Sequence, residues 1–263
     1  MVGSDPSLIG IVAVENSLAG SILPNLTLLK DSHVTVTGEC KLRIGLNLLA
    51  LPGQTMGDIM EVYSHPVALK QCTEFFRLHP KMKPTESDDT AMSALEINSN
   101  QIKGTGVVAS ALAAKIYGLQ ILAKGIETNK RNFTRFLIVE STASVQGREY
   151  TILKGRGKAT LVFTLAHERG SLAAILTMLA EEECNLMMIQ SNPVIGREWE
   201  YLFFIDLVFN DFDRYKMALE VMKRTCNELK ELGVYHEGAV YSEENAPVSE
   251  DCDKDKIIEL WNR

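Results

Sequence analysis

The chain has no uninterrupted apolar run of the ~18 residues that a membrane-spanning helix requires. Its first residues carry neither the basic stretch nor the apolar core of a secretion signal. Cysteine is sparse: Cys40, Cys72, Cys184, Cys226 and Cys252 are odd in number and widely spaced, with no pair at metal-site or redox spacing. They read as ordinary thiols of a reducing compartment, which excludes a disulfide framework. Clustered Lys and Arg are missing too, and 27 basic against 34 acidic residues leave a net charge of -7. Nucleic acid is therefore excluded as a main partner, because phosphate binding needs clustered cations. No internal repeat and no low-complexity tract occurs. A cytoplasmic protein with a small-molecule ligand, and no membrane partner, is expected.

What is present is the composition of an ordinary globular protein. Of the 263 residues, 46% are apolar and 23% charged, enough for two domains with a core in each. Leu8 to Val14 has the pattern of a strand, Glu15-Asn16-Ser17 ends it, and Ile22, Leu26 and Leu29 follow at helical spacing. The same order returns twice. Ile59 to Tyr63 leads through Ser64-His65-Pro66 into a helix carrying Ala68, Cys72, Phe75 and Phe76, with Pro66 suited to the first helical position. Gly106 to Ala109 leads through Ser110 into a helix with Ala114 and Tyr117.

Strands alternating with helices predict an open α/β fold with mostly parallel strands and a ligand site beyond their carboxyl ends. Each junction sets a hydroxyl or amide side chain where a strand hands over to a helix, a placement that suits an anion. The same residues also serve as helix caps, and the two roles are compatible.

Between Ser141 and Gly157 the apolar periodicity lapses and predicts a linker. Beyond it, Ala159 to Leu165 reads as a strand, Ser171 to Glu183 as an amphipathic helix, and Leu186 to Ser191 and Tyr201 to Val208 as strands. Tyr215 to Leu229 reads as a helix and Val234 to Glu237 as a last strand. The order βαββαβ is the ferredoxin-like arrangement. The tail, 239–263, is acidic and predicts a mobile extension with one docking turn near Ile257 to Trp261.

Four motifs in order carry a family resemblance. They are Glu15-Asn16-Ser17 with Gly20, Ser64-His65-Pro66 with Gln71-Cys72, Ala109-Ser110 with Tyr117-Gly118-Leu119, and Thr134-Arg135-Phe136. Followed by a βαββαβ segment opening on Gly170-Ser171-Leu172, this set resembles the prephenate dehydratases. The resemblance implies a two-lobed catalytic domain like that of periplasmic binding proteins, over 1–145. Its lobes are 1–42 with 132–145, and 43–131. An ACT regulatory domain would follow over 158–238, pairing with a copy from another subunit in a homodimer or homotetramer and binding phenylalanine for feedback inhibition. In the family a strand and a Gly- and Ser-containing loop stand well ahead of the Glu-Asn-Ser motif, so the first strand and helix of lobe one are expected to be missing here.

The implied substrate is prephenate, and no cofactor or metal is expected, because loss of carbon dioxide and hydroxide makes its ring aromatic. Thr134 would be the catalytic hydrogen-bond donor to the leaving hydroxyl; it is a weak acid on its own. Arg135, Asn16, Ser17, Ser64, Ser110 and Phe136 would line the substrate, with Arg135 offering its fork to a carboxylate. His65 is open to chemistry, to shaping the cleft or to capping. Glu15 would repel an anionic substrate unless paired, which favours a hydrogen-bonding role.

The effector site implied by the resemblance comprises Gly170, Ser171 and Leu172 with Gln190, Ser191, Asn192 and Pro193. The stripe that includes Leu172 also fits a core face. Family members commonly carry Glu-Ser-Arg-Pro at the second motif, so two charges are lost here and charge-based recognition is weakened. Arogenate could replace prephenate on the same scaffold. A non-catalytic amino-acid sensor is the alternative in another class.

Overall fold

The computed structural model describes residues 2–147 and 156–242. The chain divides into two compact units, one of Met1–Leu42 with Thr134–Val240, the other of Arg43–Phe133 with the residues after Val240.

In the first unit β1 (Ile9–Asn16) turns into the two-residue β2 (Gly20–Ser21). Gly20 supplies the positive φ of 84° that the turn requires. The helix α1 (Leu23–Asp31) has a proline in its first turn and buries Leu26 and Leu29. The strand β3 (Val34–Arg43) then leads out of the unit.

The second unit contains β4 (Asn47–Ala50), β5 (Glu61–Ser64), α2 (Pro66–Gln71), α3 (Thr73–Leu78) and β6 (Lys83–Glu86). After these come α4 (Thr90–Ser99), β7 (Thr105–Ala109), α5 (Ala111–Tyr117) and β8 (Gln120–Ala123). Its sheet has the order β6-β5-β7-β4-β8. The expectation of mostly parallel strands holds only in part: β5 is parallel to β6 and β7, whereas β4 is antiparallel to β7 and β8. The parallel pairs are those joined through helices, as parallel crossovers require. The single helix expected across Ala68 to Phe76 is also two, because Cys72 leaves helical geometry (φ -109°, ψ 23°) and ends α2 where α3 begins.

On its return the chain forms β9 (Phe133–Ser141) and α6 (Thr142–Val145), then β10 (Gly157–Thr164), α7 (Ser171–Glu181) and β11 (Asn185–Pro193). The order continues with β12 (Tyr201–Phe209), α8 (Phe212–Thr225), β13 (Glu228–His236) and β14 (Val240–Tyr241). β9 completes a sheet of order β14-β3-β9-β1-β2, and β10 to β13 form an antiparallel sheet of order β11-β12-β10-β13. The βαββαβ succession is present. Its last strand starts at Glu228, earlier than predicted, because α8 ends at Thr225 and Leu229 packs into the core from the strand. The predicted linker falls largely on 148–155 and the predicted tail on 243–263, both outside the described residues. Val240–Tyr241, expected in the tail, instead edge the β3 sheet.

The strand β10 is buried along its whole length, because both faces of its sheet are covered. On one face Ala159, Leu161 and Phe163 meet Ile175 and Leu179 of α7 and Tyr215 and Met222 of α8. On the other, Val162, Phe204 and Leu232 meet Val14, Leu26, Val36, Leu137 and Val139 of the β1–β9 half. Fully burying each such side chain stabilises by about 1.5–3 kcal/mol relative to exposure. On β1, Ile9 and Ile11 remain exposed at 68% and 65%. Among the described residues no helix is long and apolar enough to cross a membrane.

Close apposition gives Gly233 of β13 its role: a Cβ there would overlap the backbone carbonyl of Val36 in β3. Gly233→Ala is expected to destabilise the fold by about 1–3 kcal/mol, read as a lower midpoint in denaturant. A midpoint equal to the parent's would contradict this packing.

Candidate functional site

The pairing of β1 with β9 sets Glu15 opposite Arg135 and Asn16 opposite Thr134. This register depends on an irregularity. Ala13 opposes Phe136 and Glu15 opposes Arg135, so Val14 is an extra residue in β1, fully buried at the bulge. Unbulged, Glu15 rather than Asn16 would stand opposite Thr134. Bulges commonly re-aim a side chain in this way.

The Asn16 carboxamide is oriented by its own turn. Its Oδ1 accepts from the backbone N–H groups of Leu18 and Ala19, at 3.0 and 2.9 Å, so the other end must be Nδ2. Nδ2 donates to Thr134 Oγ1 at 3.1 Å. A threonine hydroxyl that accepts on its oxygen keeps its proton for donation to something else. Both side chains are half-buried, and Phe136 stands two residues along the same strand. Ser17 is exposed in the turn.

Arg135 behaves differently from the sequence expectation. Neighbouring residues of a strand project to opposite faces, so Arg135 points away from the face of Thr134. Its Nε donates to Glu39 Oε2 at 2.6 Å, its Nη1 to Asp206, and its Nη2 to the Tyr235 hydroxyl at 3.1 Å. Glu15 adds a carboxylate oxygen 3.6 Å from Nη1. With the fork engaged by protein groups, Arg135 is not placed to bind a substrate carboxylate, and Glu15 has its charge paired with Arg135 across 3.6 Å.

Around the guanidinium lies a buried ionic cluster that the sequence reading missed. Lys158 Nζ donates to Glu39 Oε2 at 2.7 Å. Thr160 Oγ1 stands 2.6 Å from Asp206 Oδ1 and 2.7 Å from the Tyr235 hydroxyl. Arg135, Glu39, Lys158 and Asp206 are each 6% exposed or less, and their two positive and two negative charges balance. Burial opposes ionisation of Glu39, but Arg135 and Lys158 beside it hold its carboxyl below the usual 4.5. Burial and the neighbouring Arg135 push Lys158 below its ordinary value, while burial and Asp206 push Tyr235 up. A charged residue at an inward position of an apolar strand, as Lys158 and Asp206 are, was the available signal.

In the other unit, β5 ends at Ser64 with His65 next, and runs parallel to the adjacent β7, which ends at Ala109 with Ser110 next. Ser64 is fully buried and donates to the Val108 carbonyl at 2.8 Å. His65 Nδ1 accepts from the Val67 N–H at 3.2 Å and Ser110 Oγ from the Ala113 N–H at 3.1 Å, so both cap helices. Ser110 and His65 are exposed.

In the βαββαβ segment, Gly170 caps α7 in left-handed geometry, with φ 85°. The Ser171 hydroxyl donates to the carbonyls of Ala166 and Glu168, and Leu172 packs against the core, the bland alternative for that stripe. Gln190, Ser191, Asn192 and Pro193 end β11, with Ser191 and Pro193 exposed. Asn192 Nδ2 donates to Thr27 Oγ1 of α1 at 3.2 Å. Burial pushes the Cys72 thiol up to about 12 and Cys184 to about 11, which makes thiolate chemistry there unfavourable. Among the described residues no three His, Cys, Asp or Glu side chains are grouped to hold a metal.

The fold and this pair define a mixed α/β protein of three sheets whose Asn16–Thr134 contact presents a hydroxyl for hydrogen-bond donation. A prephenate dehydratase family profile matches residues 2–144, and the chain belongs to that family. The prephenate dehydratase of Lactococcus lactis is 33% identical, the match covering 88% of this chain and 82% of that protein. Arogenate dehydratase 2 of Petunia hybrida is 34% identical, over 86% of this chain and 59% of that one. The bifunctional chorismate mutase/prephenate dehydratase of Buchnera aphidicola is 29% identical over 89% of this chain, which spans 60% of the relative's length. Among solved structures, one titled a novel type of quorum quenching acylase superimposes with a TM-score of 0.78 at 28% identity, covering 90% and 84% of the two chains. Prephenate dehydratase from Arthrobacter aurescens in complex with L-Phe gives a TM-score of 0.76 at 24% identity, covering 99% and 84%.

Because the folded state holds Glu39 below its ordinary 4.5, the unfolded chain takes up the extra proton there. Its contribution is therefore full above that value and is lost as pH falls through the lower folded one. Glu39→Gln is expected to cost about 3–5 kcal/mol at neutral pH, since it leaves the buried Lys158 without its carboxylate and takes one of the carboxylates from Arg135. In urea melts the gap between variant and parent should narrow below 4.5.

Proposed function

We propose that this chain converts prephenate to phenylpyruvate, with Thr134 as the donor to the departing hydroxyl and Asn16 as the group that orients it. The observation carrying this reading is the Asn16 Nδ2 to Thr134 Oγ1 contact at 3.1 Å, with the amide locked by two backbone donors. In the reaction the bond to the ring carboxylate breaks and its electron pair enters the ring. The bond to the ring hydroxyl breaks in turn, releasing carbon dioxide and, after protonation, water. Electrons balance without an external acceptor, and aromatisation drives the step. The enzyme's part is to hold the substrate and to stabilise charge on the leaving oxygen.

His65 and Ser110, exposed beside the ends of neighbouring strands, are the groups proposed to bind substrate within a periplasmic-binding-protein-like domain, whereas Ser64 is fully buried with its hydroxyl given to the Val108 carbonyl. The segment 158–238 is read as an ACT domain whose effector is phenylalanine, bound near Gly170, Ser171 and Leu172 with Gln190 to Pro193. Support comes from the βαββαβ order and from the phenylalanine-bound Arthrobacter structure of similar fold. A homodimer or homotetramer in the cytoplasm is the setting proposed. Arogenate is the second substrate reading, supported by the Petunia relative at 34% identity. An acylase role is disfavoured because Thr134 accepts from Asn16, an arrangement suited to a donor rather than a base-activated nucleophile.

Phenylpyruvate formation, followed by ultraviolet absorbance in alkali, tests the activity with prephenate and arogenate offered in parallel. Thr134→Val, which removes the hydroxyl at similar volume, is expected to lower kcat by about 100-fold or more with an unchanged melting temperature. Parental turnover in that variant would overturn the role of Thr134. No turnover of either substrate by the folded parent would favour the non-catalytic sensor.

A further inference from the structure

We propose that Arg135 is a positioning residue for Thr134, and that the βαββαβ sheet supplies its seat through Lys158, Asp206 and Tyr235. The inference rests on the reading of Thr134 as the donor.

Thr134 and Arg135 share one peptide unit of β9 but project to opposite faces of the sheet. On the Thr134 face, Asn16 holds the hydroxyl. On the other face, Glu39, Asp206 and Tyr235 engage all three nitrogens of the guanidinium. A planar fork fixed at three points cannot rotate or slide without breaking several charge-assisted hydrogen bonds at once. The backbone carrying the donor is thereby fixed from its reverse side.

Two of these three partners belong to the βαββαβ sheet. Lys158 on β10, Asp206 on β12 and Tyr235 on β13 come from three adjacent strands and meet on one face. Thr160 ties Asp206 to Tyr235 and so fixes the acceptors in turn. Glu39 is held to the same assembly by Lys158 and by the Gly238 N–H at 3.2 Å. None of these groups lies on the Thr134 face, so their effect on turnover passes through β9, with β1 as a second route by way of the Glu15 contact. The sheet is in this sense part of the catalytic apparatus without touching substrate.

The test compares Asp206→Asn, Lys158→Met and a control, Met222→Ala, whose side chain is buried on the opposite face of the sheet among α7 and α8. All are assayed well below their melting temperatures. If Arg135 positions Thr134, Asp206→Asn and Lys158→Met lose about 10- to 100-fold in kcat, with KM within about twofold of the parent, and the control keeps parental kcat. Parental kcat in both cluster variants overturns the proposal, as does an equal loss in the control. A parent that turns over nothing would refute the proposed function instead. Amide exchange at Thr134 and Phe136 then decides. Faster exchange in the cluster variants alone upholds the seating of β9, and uniform protection overturns it.

Discussion

A guanidinium taken out of water must be neutralised and have its donors met, and Arg135 imposes that requirement on everything around it. The response is drawn from four strands, Glu15 on β1, Glu39 on β3, Asp206 on β12 and Tyr235 on β13, with Lys158 on β10 as the second cation paired to Glu39. Such assemblies are weak sources of net stability, since desolvation offsets attraction, but they tolerate few alternative arrangements. The apolar contacts between Val14, Val36, Leu137 and the βαββαβ sheet supply adhesion without direction. The ionic cluster supplies direction, selecting one registration of two sheets that grease alone would let slide.

The Asn16–Thr134 pair depends on this registration and on a defect in it. A regular β1 would present Glu15, a carboxylate, to the Thr134 hydroxyl, where it would accept the hydroxyl's proton. The Val14 bulge shifts the amide into that place. Glu15 is turned instead toward Arg135, where its charge is met. One inserted residue thus sorts two adjacent polar side chains between opposite duties.

Much of this was legible in the residues. The strand-to-helix junctions at Ser64 and Ser110, the cap at Ser110 and the βαββαβ succession follow from periodicity and from residues with known local preferences, whereas at the first of these junctions His65 is the cap and Ser64 turns inward to the Val108 carbonyl. The pairing of Asn16 with Thr134 was legible only as membership of two motifs, since a contact spanning 118 positions leaves no local trace. Arg135 was misjudged for the same reason. Its partners Glu39, Asp206 and Tyr235 lie 96, 71 and 100 positions away, so the sequence displays a fork without showing what fills it. The antiparallel course of β4 and the division of α2 from α3 were invisible too, because strand direction and a single non-helical Cys72 are set by tertiary packing.

The first unit is discontinuous in the chain, leaving at Leu42 and resuming at Thr134. During synthesis the strand β3 is therefore made long before β9, β10 and Gly238, the partners of its Glu39. Until the carboxyl-terminal strands emerge, β1 and β3 can only wait with apolar faces uncovered, while Arg43–Phe133 already holds both halves of each of its own strand pairs. The intervening unit is thus free to fold first on the ribosome, and closure of the first unit becomes a late, slow step governed by long loops.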